Sequence, residues 1–162
     1  FYNRFFRRFK APESWFYPGA LLKDKTKMFI GKSNCDVGVF VNRGFVKASN
    51  VSVVIDSEKD LFLLDYTSTL LKTTHGSASI LDRSSSTTPG SEKIQYAIRQ
   101  FTESAKQANL LAEKDMTPAI FNGYNFMLIS YDSWNDVSEH RREALQKMPS
   151  TLILNHKERT EE

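Results

Sequence analysis

Three short runs constrain the fold most: DVGVFV (36–41), VSVVID (51–56) and LFLLD (61–65). Each is rich in β-branched or aromatic residues and too short to complete a useful helix. They are separated by the polar breaks Asn42-Arg43-Gly44, Ser49-Asn50 and Ser57-Glu58-Lys59-Asp60. Period-two runs joined by short polar turns predict an antiparallel meander whose last hairpin spans 51–65. A further strand is expected over 78–81.

Beyond a Ser/Thr-rich loop, RSSSTTPGS (83–91), the period changes. Ile94, Ala97, Ile98, Phe101, Ala105, Ala108, Leu111 and Ala112 recur at spacings of three and four, which predicts a helix over 92–114. Residues 124–131 read as a strand buried on both faces, and 135–148 as a helix with Val137, Ala144, Leu145 and Met148 inward, stopped by Pro149. A last strand is expected over 151–155. Strand, helix and strand in succession imply a right-handed parallel crossover. The expected class is α/β, bordering on α+β: a mixed sheet with an antiparallel meander, a long covering helix and a C-terminal strand–helix–strand crossover. A length of 162 residues suits one domain. Its expected parts are an amphipathic segment (1–10), a basic linker (11–35), the domain itself (36–156) and a solvated tail (157–162).

The net charge of +3 is unevenly placed. Through Cys35 there are 8 Lys and Arg against 2 Asp and Glu, and beyond it 14 against 17. The basic end therefore predicts an anionic partner, a lipid surface or a nucleic-acid backbone. On a helical wheel Phe1, Tyr2, Phe5, Phe6 and Phe9 share an arc of about 140°, with Asn3, Arg4, Arg7, Arg8 and Lys10 opposite. Such a helix would lie at a membrane interface with Phe5 and Phe9 at the headgroup boundary and Arg4, Arg7, Arg8 and Lys10 toward anionic lipid, or would pack its aromatic face on the core. No run approaches the roughly 20 apolar residues of a membrane span, so the chain is expected to be soluble. A single cysteine, Cys35, fits a reducing, cytoplasmic compartment. The chain opens on Phe1 rather than Met, which predicts a piece of a longer or processed protein.

His75, His140 and His156 are too scattered for a metal pair, and the nucleophile-elbow, Walker and dinucleotide motifs are missing. The remaining constellation is VVIDSEKDLFLLDYTST (53–69), in which the hairpin would bring Asp56 and Asp65 toward one edge with Glu58 nearby. Paired carboxylates of that kind suit Mg²⁺. With Asp65-Tyr66-Thr67-Ser68 on the second strand and Gln95-Tyr96 on the long helix, the sequence resembles the RecB-like branch of the restriction-endonuclease (PD-(D/E)xK) superfamily. The resemblance implies an endonuclease-like core over 50–131, with Asp56, Asp65 and Gln95 as catalytic residues and Mg²⁺ on the two aspartates. Thr67 occupies the position of the family's lysine and supplies no ammonium, which implies a degenerate core that binds nucleic acid. The leading expectation is instead non-enzymatic: a soluble interaction domain of a larger, membrane-associated assembly, with protein partners, an anionic membrane at its basic end and no cofactor.

Overall fold

The computed structural model describes residues 5–10, 24–85, 87, 89–111, 117–140 and 142–157. In chain order these form β1 (Phe5–Lys10), α1 (Asp24–Lys32), β2 (Val37–Asn42), β3 (Asn50–Ile55), a 3₁₀ turn (Glu58–Leu61), α2 (Phe62–Thr74), β4 (Ser77–Asp82), α3 (Ser91–Ser104) and β5 (Ala108–Leu110). A second 3₁₀ turn (Pro118–Phe121), β6 (Phe126–Ser130), α4 (Tyr131–His140), α5 (Arg142–Lys147) and β7 (Ser150–Asn155) follow. The class is α/β, with one seven-stranded mixed sheet in the order β1-β2-β7-β6-β3-β4-β5.

From β3 onward every strand pairing is parallel: β3 with β4 and β6, β4 with β5, and β6 with β7. The chain winds outward from β3 through α2 to β4 and through α3 to β5. It then returns to the other side of β3 as β6 and winds outward again through α4 and α5 to β7. Right-handed crossovers running in opposite directions must leave their helices on opposite faces. The core divides accordingly. Leu63, Leu64 and Leu71 of α2 and Ile94 and Ile98 of α3 pack with Val51, Val53, Ile55 and Ile80 on one face. Trp134, Val137, Ala144 and Leu145 pack with Val54, Leu81, Met127 and Ile129 on the other. Strands clothed on both sides read as continuous apolar runs, which is why all five residues of β6 are buried.

The crossover ending in β7 forms as expected, with Val137, Ala144, Leu145 and Met148 buried, although α4 and α5 are separate helices. Several other expectations are corrected. The meander does not form: the antiparallel pairing is between β2 and β7, Val37 opposite Asn155, and β2 and β3 are not neighbours. LFLLD is not a strand. Leu61 closes the 3₁₀ turn, and residues 62–65 open α2, whose buried positions 63, 64, 67 and 71 follow the helical period.

The expected 92–114 helix ends at Ser104, Ala105 is extended (φ −106°, ψ 92°), and Ala108 lies in the edge strand β5. Ile94 and Ile98 are buried, whereas Phe101 and Ala105 are half-buried. The expected linker contains α1, whose Ile30 enters the core.

The N-terminal amphipathic helix is corrected as well. Phe5–Lys10 is a strand, paired in parallel with β2 from Phe5↔Val37 to Lys10↔Asn42. Edge pairing satisfies its backbone groups along β2, and aromatic residues favour strands. The helical wheel that separated Phe5 and Phe9 from Arg7, Arg8 and Lys10 does not apply to it. Phe1, Tyr2, Asn3, Arg4, most of the linker (11–23) and the tail (158–162) lie outside the described residues. Among the described residues no helix is long and apolar enough to cross a membrane.

Candidate functional site

The reversal of winding direction lies between β3 and β6. At such a point the loops leaving the two strands part to opposite faces and open a crevice at the strand carboxyl ends, where open α/β sheets bind ligands. Residues 56–61 leave β3 there, and α4 begins directly after β6.

Asp60 organises the first loop. It is 2% exposed, and its Oδ2 accepts the backbone N–H groups of Asp56 (2.9 Å) and Ser57 (2.8 Å). The Ser57 hydroxyl donates to the same oxygen at 3.2 Å and the Ser133 hydroxyl, from α4, at 3.4 Å. The Ser57–Asp60 spacing makes a capping box around the 3₁₀ turn. The Ser133 N–H in turn donates to Ser130 Oγ at the end of β6. Both loops of the crevice therefore spend polar groups on each other.

Arg83, just past β4, reaches across the same edge. Its Nη1 lies 3.1 Å from Asp56 Oδ2 and its Nη2 3.2 Å from Asp136 Oδ2 of α4. His140, one turn further along α4, lies 3.2 Å from Asp136. The second oxygen of Asp56 is buried and finds no hydrogen-bond partner among the described residues. Burial pushes the Asp56 carboxyl above the usual range. The Arg83 charge and the Ser133 hydroxyl oppose that shift, and the Asp60 and Asp136 charges add to it.

Beside this network opens a cleft of about 260 Å³ over the ends of β6 and β7. Its lining includes Lys59, Asp60 and Phe62 from the β3 side, Tyr131 and Asp132 from the start of α4, and His156 just after β7. The imidazole of His156 stacks on the Phe62 ring, with centroids 5.0 Å apart and planes at 22°. Asp36 holds that wall from behind. Its carboxylate lies 3.0 Å from His156 Nδ1, and it accepts the Tyr66 hydroxyl and the Lys157 N–H, each at 3.1 Å.

Burial alone would raise Asp36. The hydrogen bonds from Lys157, His156 and Tyr66, with the His156 charge, outweigh burial and hold the carboxyl below the usual range. A carboxyl lowered by folding adds stability above its unfolded pKa of about 4, and that stability is lost as pH falls through the lower folded value. Asp36→Asn should therefore melt below the parent at neutral pH, and the gap should close as the pH is taken well below 4. Parallel melting curves in acid and at neutrality check this.

The residues expected to carry nuclease chemistry are not gathered here. Asp56 stands at the carboxyl end of β3, but Asp65 is exposed on α2, because the hairpin that would have paired them is a strand followed by a helix. Gln95 is exposed on α3 and lines a separate groove with Asp82 and Arg99. Tyr96 is exposed at 64%. Among the described residues no three His, Cys, Asp or Glu side chains converge as metal ligands. Cys35 is exposed. The side chains of Arg4, Phe5, Arg7, Arg8, Phe9 and Lys10, expected to meet an anionic surface, lie outside the described residues.

Of the cleft's own residues, Phe62, Tyr131, Asp132 and His156 carried no motif. The legible signal was the succession of a β-branched run, an Asp-Ser-x-x-Asp turn and a helical period, repeated as strand–helix units. No family model, curated protein or solved structure matches the chain.

Proposed function

We propose that the chain is a non-catalytic α/β binding domain of a larger assembly, holding a small polar molecule in the cleft beside Phe62, Tyr131 and His156. The observation that carries this is the cleft's place: it opens at the carboxyl ends of β6 and β7, beside the reversal of winding between β3 and β6. Binding is favoured over catalysis because three of the acidic groups nearby, Asp56, Asp60 and Asp136, are committed to structure. Asp60 is taken up by the loop it caps, and Asp56 and Asp136 by Arg83. The basic N-terminal segment, with Arg4, Arg7, Arg8 and Lys10, is the part suited to an anionic surface of that assembly.

The test is a thermal-shift panel of amines, nucleotides, sugar phosphates and carboxylates at millimolar concentration, run beside Asn155→Trp, which fills the cleft from β7. A ligand at a hundredfold excess over its Kd stabilises a domain by about 2.7 kcal/mol. For a chain of this size that is a rise of about 5–10 °C. At least one class should raise the melting temperature of the parent and not of Asn155→Trp. A panel without effect, or shifts that persist in the filled variant, overturns the proposal.

A further inference from the structure

We infer that the cleft takes an organic cation, an amine or guanidine on a flat or aliphatic body, and not a phosphorylated ligand; this rests on the reading that the cleft binds a small molecule. Four observations converge on it.

The first concerns backbone donors. Phosphate at a strand end is gripped by free N–H groups of a glycine-rich loop or a helix start. Neither 56–61 nor 130–133 contains glycine, and four of their N–H groups are spent internally: those of Asp56 and Ser57 on Asp60, that of Asp60 on the Ser57 carbonyl, and that of Ser133 on Ser130. The second is charge. Asp60 and Asp132 line the cleft against Lys59, and Glu58 of the same loop is paired with Lys93. The third is the wall. Phe62, Tyr131 and His156 line it with aromatic rings, His156 stacked on Phe62, and an aromatic lining suits a cation or a flat body. The fourth is that this edge already seats a guanidinium: Arg83 lies between Asp56 and Asp136 with only 12% of its side chain exposed. Carboxylates therefore hold one cation at this edge already, and Asp60 and Asp132 stand ready beside the cleft for another.

Calorimetric titration with agmatine and with AMP, at low and high salt, tests the assignment, and the buried Trp134 of α4, a turn from Tyr131, offers a fluorescence readout. Agmatine should bind and weaken with salt. Asp132→Asn, at an exposed position, should melt like the parent and bind agmatine about fivefold more weakly, the effect of one partly exposed charge pair. Phe62→Leu should weaken it about threefold. AMP binding without agmatine binding overturns the cation assignment and leaves the cleft reading standing. Agmatine binding unchanged in both variants also overturns the assignment, since the cation then sits elsewhere. If neither probe binds while another class in the panel does, the assignment falls alone; if nothing binds, both fall.

Discussion

Asp60→Ala should lower stability by about 3–5 kcal/mol, a large part of the 5–15 kcal/mol that holds an ordinary domain together. One carboxylate oxygen accepts two backbone N–H groups and two hydroxyls at a position 2% exposed. Truncation leaves those donors facing a small void, and a buried donor without a partner costs about 1–3 kcal/mol. The hydroxyls can rotate toward other acceptors. The N–H groups of Asp56 and Ser57 are fixed by the backbone and cannot. The loss should appear in urea as a lower midpoint with an unchanged slope, since the folded state stays compact. Asp60→Asn keeps one carbonyl acceptor and should lose roughly half as much. It should also let the Asp56 carboxyl titrate lower, because the Asp60 charge is one of the groups that holds it up. A loss below about 1 kcal/mol for the alanine variant would show that the loop does not depend on this carboxylate.

The distinction between fold class and topology explains what the sequence made legible. Alternation of short β-branched runs with helical periods was enough for an α/β class and for the β6–helix–β7 crossover. It was not enough to settle a five-residue run. In isolation LFLLD fits a strand as well as the first turn of a helix, because both permit four adjacent apolar residues. What decides it lies on either side: Ser57 and Asp60 close a capping box before it, and Thr67 and Leu71 continue the period after it. Reading that run as a strand turned a parallel crossover into a hairpin and displaced Asp65 from a helix surface to a strand end. The helix expected to reach 114 failed for the converse reason. Ala105 and Ala108 keep a helical spacing, but alanine fits either element, and the edge of β4 supplies partners for a short strand.

The cleft was least legible because its residues come together only through topology. Phe62 and Tyr131 open α2 and α4, Asp36 and His156 flank β2 and β7, and no spacing links the four. Asp36 and His156 meet through the antiparallel pairing that sets the start of β2 beside the end of β7, Val37 opposite Asn155, and Phe62 and Tyr131 through the parallel pairing of β3 with β6, whose carboxyl ends they follow. Asp36 and His156 each lie one residue beyond that pair, so their ion pair follows from register alone. A sequence-level rule could have reached this point only by recognising two β-α-β units wound in opposite directions and asking which strand ends meet at the reversal.

The assignment of 62–74 as a helix carries the second large expected effect. Leu63 is fully buried and Leu71 is 3% exposed, both within the core on the α2 face. Truncating either to alanine should cost about 2–5 kcal/mol, the transfer term of the lost methyl groups plus the cavity they leave. The hairpin alternative makes a different forecast. It confines the buried run to 61–65 and leaves Leu71 beyond the strand, so Leu71→Ala would be nearly neutral. Eight residues along a helix separate the two side chains by about 12 Å, far enough for their effects to add within about 0.5 kcal/mol. The double variant should then lose about 4–10 kcal/mol and stand at or beyond the limit of folding, whereas Asp65→Ala, on the exposed side of the same helix, should stay within about 0.5 kcal/mol of the parent. Urea unfolding followed by far-UV circular dichroism reads all four proteins. A Leu71→Ala variant as stable as the parent would return this segment to the hairpin and remove the winding reversal on which the cleft depends.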